Sequence, residues 1–339
     1  MSLVETELNE APGAVAQQKS ALAGPLLDLT ARLARTPPSA VVTCARGSSA
    51  HAAAFAKHLV ERHLAIPVVA AAPVVFTAYR RDLRLKGQFF LAISQSGRSD
   101  DLIEAACSAQ RSGALTAALV NDTESPLAAS CDIVLPIAAG PERAVAATKS
   151  FIASLAALLW LVCLWNRDEG LRAAVERLPK RLADAARLDW DAAVPALAAA
   201  NSLVAVGRGP TLAIAREAAL KLKELADLHA EAFSGAEFLH GPVALVEPSY
   251  PLLMFVASDE TAPGLRQLAA QLRDGGANLF CADPARGSAA ELSTLPADHP
   301  DADALCLIQS FYRMAARLAI VRRLDPDRPR HLQKVTRTR

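Results

Sequence analysis

Apolar residues in the first half of this chain fall in short continuous runs at about 40–45, 67–71, 89–94, 115–120 and 132–136, each followed by a stretch of helical spacing. Unbroken runs, as opposed to alternating ones, mark strands buried on both faces, and helices between them make the sheet parallel. Ser99 ahead of DLIEAACSAQ and Thr211 ahead of AIAREAALKLKELADL read as helix starts. Serines at strand ends often do no more than this, and Ser48 taken alone reads as such a cap.

The pattern repeats. SAVVTCARGSSA (39–50) matches NSLVAVGRGPTL (201–212), a shift of 162 residues. At that same shift QFFLAISQSGRS (88–99) meets YPLLMFVASDET, and GALTAALVND (113–122) meets GGANLFCADP. Three strands at one ungapped offset define a duplicated α/β unit. The expected organisation is a helical arm over 1–35, a first unit over 36–167, a charged helical connector over 168–198, a second unit over 199–324 and a tail over 325–339.

Composition changes this picture little. With 52% hydrophobic and 21% charged residues in 339, the chain reads as soluble and globular, and a net charge of +1 gives no field for nucleic acid or a membrane surface. The longest apolar run, Phe151 to Trp165, is 15 residues and reads as a buried helix. The first residues carry acids and no apolar core, unlike a signal peptide. Six scattered cysteines, none in a C-x-x-C pair, read as buried free thiols of a reducing, cytoplasmic compartment.

Candidate chemistry gathers in two places. Ser94, Gln95, Ser96 and Ser99 lie where a strand hands over to a helix, with Ser49 after the first strand. Short donors beside free helix N–H groups make an anion site at the carboxyl ends of parallel strands. No Walker or G-x-G-x-x-G pattern is present, so a single phosphate fits better than a nucleotide. The second copy carries Asp259 and Glu260 in the matching turn, which would repel a phosphate. The densest second-half segment runs from Ala215 to Val246. Glu217, Lys221 and Glu224 share one face of an otherwise Ala- and Leu-rich helix, and either glutamate could by spacing abstract a proton. His240 sits on a Gly-Pro turn suited to a site; His229 could serve a site or the core.

Five stretches, GSSAHA, SQSGRSDDL, AVAATKSF, ALKLKELADLHAEAFSGAEFLHGP and DPDRPRHLQKVT, resemble the sugar isomerase (SIS) family across nearly the whole chain. In particular they resemble the isomerase half of glutamine–fructose-6-phosphate aminotransferase and its stand-alone deaminase relatives. The resemblance implies two tandem flavodoxin-like subdomains, each a three-layer parallel sheet flanked by helices, binding a sugar 6-phosphate without metal or cofactor. It also implies a homodimer in which His240 opens the sugar ring in the partner's site. By resemblance, Ser49, Ser94, Gln95, Ser96 and Ser99 bind phosphate. Glu224 is the base with Lys221 beside it, Glu217 and Val145 contact sugar, and Lys334 closes over it. Ser99 stands where the aminotransferase has Thr, Arg98 where it has Glu, and Leu239 where it has Lys. No terminal-cysteine glutaminase segment is seen, so the expected reaction is conversion of glucosamine 6-phosphate to fructose 6-phosphate and ammonia. A galactosamine-6-phosphate deaminase or isomerase, a fructosamine-phosphate deglycase and a non-catalytic amino-sugar-phosphate sensor remain open at this point.

Overall fold

The long helix α1 (Leu3–Arg35) precedes five parallel strands: β1 (Val41–Ala45), β2 (Val68–Ala70), β3 (Phe89–Ser94), β4 (Leu115–Val120) and β5 (Ile133–Pro136). They form one sheet in the order β2-β1-β3-β4-β5, in a computed structural model that describes residues 2–334. Every residue of the central strand β3 is buried, as helices on both faces require. The helices of this half are α2 (Ser48–Leu64), α3 (Pro73–Thr77), α4 (Asp100–Arg111), α5 (Pro126–Ala129) and α6 (Lys149–Asn166). The face covered by α4 holds a core that includes Val42, Phe90, Leu102, Ala106 and Val120.

After α7 (Glu169–Ala185) and α8 (Val194–Ala199), the second half runs β6 (Ser202–Gly207), α9 (Pro210–Ala226), β7 (His229–Ser234) and α10 (Gly235–Phe238). It continues through β8 (Pro251–Phe255), α11 (Ala262–Asp274), β9 (Asn278–Ala282) and α12 (Pro300–Val321). Its four parallel strands take the order β7-β6-β8-β9, the first sheet's order without a fifth strand. One core of this half packs Val206, Phe238, Met254, Leu265 and Cys281 together.

The repeat carries over into the fold, strand ends agreeing to within about a residue or two. A shift of 162 residues carries Ser48 and Leu64, the ends of α2, onto Pro210 and Ala226, the ends of α9. Both helices are entered through a left-handed glycine, Gly47 at φ 54°, ψ −135° and Gly209 at φ 59°, ψ −129°. Two expected caps are thereby corrected. Gly47, not Ser48, holds the α2 cap position, and Thr211 lies inside α9, where its buried hydroxyl donates to the Phe255 carbonyl at 2.7 Å.

Two compact units result. One contains Gly13–Glu142, Lys149–Glu176, Gln333 and Lys334; the other contains the residues up to Pro12, Arg143–Thr148 and Arg177–Leu332. Helices α6 and α12 are long and apolar enough to cross a membrane, yet 83% and 78% of their apolar windows are buried, which makes them core helices. All six cysteines are free. Burial pushes the thiols of Cys44, Cys131, Cys163, Cys281 and Cys306 up to about 12.

Candidate active site

The serine-rich turn follows β3 directly. Ser94, the last strand residue, is buried, and its Oγ accepts the Gly97 N–H at 3.1 Å. Ser96 Oγ accepts the Arg98 N–H at 3.4 Å. Backbone bonds fix the turn from the β4 side: Asn121 N–H donates to the Gln95 carbonyl at 3.2 Å and Leu127 N–H to the Gly97 carbonyl at 3.1 Å. Gly97 has φ 63°, and a Cβ there would lie 2.1 Å from Ser125 Oγ, so only glycine closes this loop. Gln95, Ser96 and Ser99 are half-buried. Ser99 occupies the N-cap position of α4, but its side chain makes no capping bond. Because β1 and β3 are hydrogen-bonded neighbours, Ser49 in the first turn of α2 and the Ser94–Ser99 turn leave adjacent strands at the same sheet end. Two helix N-termini and four hydroxyls there suit an anion. The nearby acid Asp101 is buried and neutralised by Arg46, which donates to it at 2.8 and 2.9 Å; Arg98 pairs with Asp122 at 2.8 Å.

The matching turn of the second half is spent on its own acids. Asp259 accepts the Thr261 N–H at 2.9 Å and hydroxyl at 2.6 Å, and Ser258 donates to Asp303 at 2.8 Å. Carboxylates in that turn disfavour an anion there.

Helix α9 carries the acid–base cluster in the other unit. Glu217 and Lys221 are fully buried at 0% and 1% exposure, whereas Glu224 is 20% exposed. The stripe is therefore no solvated helix face. Lys221 donates a hydrogen bond to Glu224, and its Nζ lies 3.6 Å from Glu217 Oε1. That same oxygen accepts the hydroxyl of Tyr312, on α12, at 3.0 Å. Burying Glu217 and Lys221 together is tolerable because each offsets the other's charge and hydrogen bonds complete the set.

The remaining residues are dispersed. His240 is exposed on the turn after α10, where Ser234 caps the helix and Gly241 at φ 155° leads into a 3₁₀ turn, Pro242–Leu245. His229 opens the edge strand β7 and is exposed. Val145 is half-buried in the Arg143–Thr148 segment, which the buried Glu7 holds by accepting the backbone N–H groups of Arg143 and Ala144. Lys334 belongs to the cradle's unit, where its ammonium lies 3.0 Å from Glu142. Glu142 is fully buried and also accepts the N–H and hydroxyl of Ser150 at 3.0 and 2.7 Å. Tyr312 and Glu142, like Glu7 and Ser150, are members of these clusters that sequence reasoning does not single out. Among the described residues no group of three or more His, Cys, Asp or Glu side chains is arranged for a metal ion.

A duplicated parallel α/β unit, with hydroxyls gathered at two helix N-termini in the first copy and a buried acid–base helix in the second, defines an open α/β protein with its polar groups at the strand ends. The chain belongs to the SIS domain family, whose profile matches residues 37–164 and 196–295. It is homologous to the isomerase domain of glutamine–fructose-6-phosphate aminotransferase. The enzyme of that name from Caulobacter vibrioides is 33% identical over 314 residues, 87% of this chain and 51% of that one. The chain thus spans about half the length of the curated relatives it matches. Among solved structures, a Silicibacter pomeroyi DSS-3 protein provisionally assigned as a phosphosugar isomerase is 42% identical with a TM-score of 0.91, over 96% of this chain and all of that one. The C-terminal domain of the Francisella tularensis aminotransferase is 26% identical with a TM-score of 0.86, over 97% and 98% of the two chains.

Proposed function

We propose that the chain isomerises a 6-phosphorylated amino sugar and that its net reaction is the deamination of glucosamine 6-phosphate. The phosphate is read by Ser49 and the Ser94–Ser99 turn. His240 assists opening of the pyranose. Glu224 takes the proton from C2 of the open-chain aldose amine and returns it to C1, giving the ketose imine. Water adds to that imine, and fructose 6-phosphate and ammonium leave.

One observation carries this reading: Glu224 is a carboxylate with its outer part open and its inner oxygen held by a buried ammonium. That is how a proton-transferring group is aimed, fixed from behind and free in front. The C2 proton transfer is tested by exchange of the C2 hydrogen of glucosamine 6-phosphate in deuterated solvent, with ammonia and ketose measured in parallel. Glu224→Gln should lower kcat by about 10²–10⁴ and leave KM nearly unchanged. Exchange without ammonia would reduce the activity to isomerisation. Faster turnover of galactosamine 6-phosphate or of a fructosamine phosphate would move the substrate, and binding without exchange or turnover of any of them would make the chain a sensor.

A further inference from the structure

Lys221 is ion-paired with two carboxylates, but at unequal distances. Its ammonium is hydrogen-bonded to the partly open Glu224 but lies 3.6 Å from Glu217 Oε1, beyond hydrogen-bond range. Glu217 is the more deeply buried of the two, so on burial alone it should hold the ammonium more tightly. What differs is the third partner. Glu217 Oε1, the oxygen nearest Lys221, already accepts the Tyr312 hydroxyl at 3.0 Å, and Tyr312 is itself fully buried on α12, which packs along α9.

We infer that Tyr312 is a positioning residue: by satisfying Glu217 Oε1 it directs the Lys221 ammonium outward onto Glu224. The hydroxyl stabilises the buried carboxylate without drawing the lysine back, and the lysine is left to orient the group that moves the proton. Tyr312 touches no reacting atom in this scheme. Its effect runs through Glu217 and Lys221, and it deepens the function proposed above by naming what aims the base.

The deciding variant is Tyr312→Phe, which removes one oxygen and keeps the ring. A crystal structure of the variant should show Lys221 Nζ within hydrogen-bond reach of Glu217 and out of reach of Glu224. In turnover of glucosamine 6-phosphate, kcat should fall about tenfold while KM stays within about twofold, because an interaction acting on the base alone is lost. In a Glu217→Gln background the same change should alter kcat by less than about twofold, since the carboxylate that competes for Lys221 is already gone. Lys221 found still on Glu224 in Tyr312→Phe would overturn the inference, as would an undiminished tenfold loss in the Glu217→Gln background. The geometric arm needs no turnover, so a wild-type protein inactive on glucosamine 6-phosphate would remove the proposed reaction, while the position of Lys221 in Tyr312→Phe would still support or overturn the role of Tyr312. Should Tyr312→Phe not fold, Glu217→Gln and its double variant, which bury no unpaired charge, decide by the same comparison: Lys221 displaced from Glu224 only in the double variant would refute the route through Glu217.

Discussion

Ser94 and Ser96 each accept a backbone N–H from within their own turn, at 3.1 and 3.4 Å. A hydroxyl that accepts keeps its own proton to give. Both serines are thus pre-set as donors, which is what a phosphate dianion needs and a neutral ligand does not. Ser94→Ala with Ser96→Ala removes two charge-assisted bonds of about 1.5–3 kcal/mol each. Steady-state kinetics should show KM for glucosamine 6-phosphate raised by at least about 100-fold. Unphosphorylated glucosamine should be a very poor substrate of the wild type, and equal turnover of the two would take the phosphate away from this turn. These serines, and Glu224 with Lys221, are legible in the sequence because each acts beside chain neighbours in a dense local pattern. Tyr312 and Glu142 are not. Tyr312 meets Glu217 across 95 positions and Glu142 meets Lys334 across 192, and no periodicity or spacing carries a pairing of that range.

At the scale of elements, periodicity carries further. All five strands expected in the first half are present within a residue or two of their apolar runs. The inner strands β1, β3 and β4 are buried on both faces, which leaves no other pattern, and β2 and β5 are the edges. The 162-residue offset holds for strands and helices alike. Helix entry is legible at Ser99, which holds the cap position of α4. It is not at α2 and α9, where a glycine of positive φ stands at the cap position in place of the expected hydroxyl residue. Serine and threonine are good caps in isolation. Here the backbone must leave the sheet end sharply, and a conformation open to glycine decides. The same reasoning predicts the most sensitive residue of the cradle. At Gly97 an added methyl group would combine a positive φ with a 2.1 Å approach to the buried Ser125 Oγ. Gly97→Ala should therefore destabilise the chain by about 2–4 kcal/mol, read as a lower urea midpoint, and should raise KM through the displaced turn. An unchanged midpoint would show that Ser125 can yield, and the turn would then not be held from β4.

At the scale of the whole molecule, the question is which His240 serves which Glu224. The two are on different elements of one unit, α9 and the turn after α10, and His240 is exposed beside an exposed Leu239 and a Gly-Pro turn. A ring-opening histidine left in open solvent would have no fixed geometry toward a sugar, and a partner subunit would supply the missing wall. The assembly we propose is a two-fold dimer in which each site takes Glu224 from one subunit and His240 from the other. Complementation tests it. Glu224→Gln and His240→Ala proteins are each inactive in this scheme, and a hybrid dimer has one doubly defective site and one intact site. Equal mixing with free subunit exchange makes half the dimers hybrid, so activity should recover to about a quarter of the wild-type level. Sedimentation should show a dimer throughout, and exchange is verified separately with a size-tagged subunit. If exchange is complete and activity stays at the level of the parents, His240 acts on the Glu224 of its own chain, and the dimer, if it forms, does not build the site.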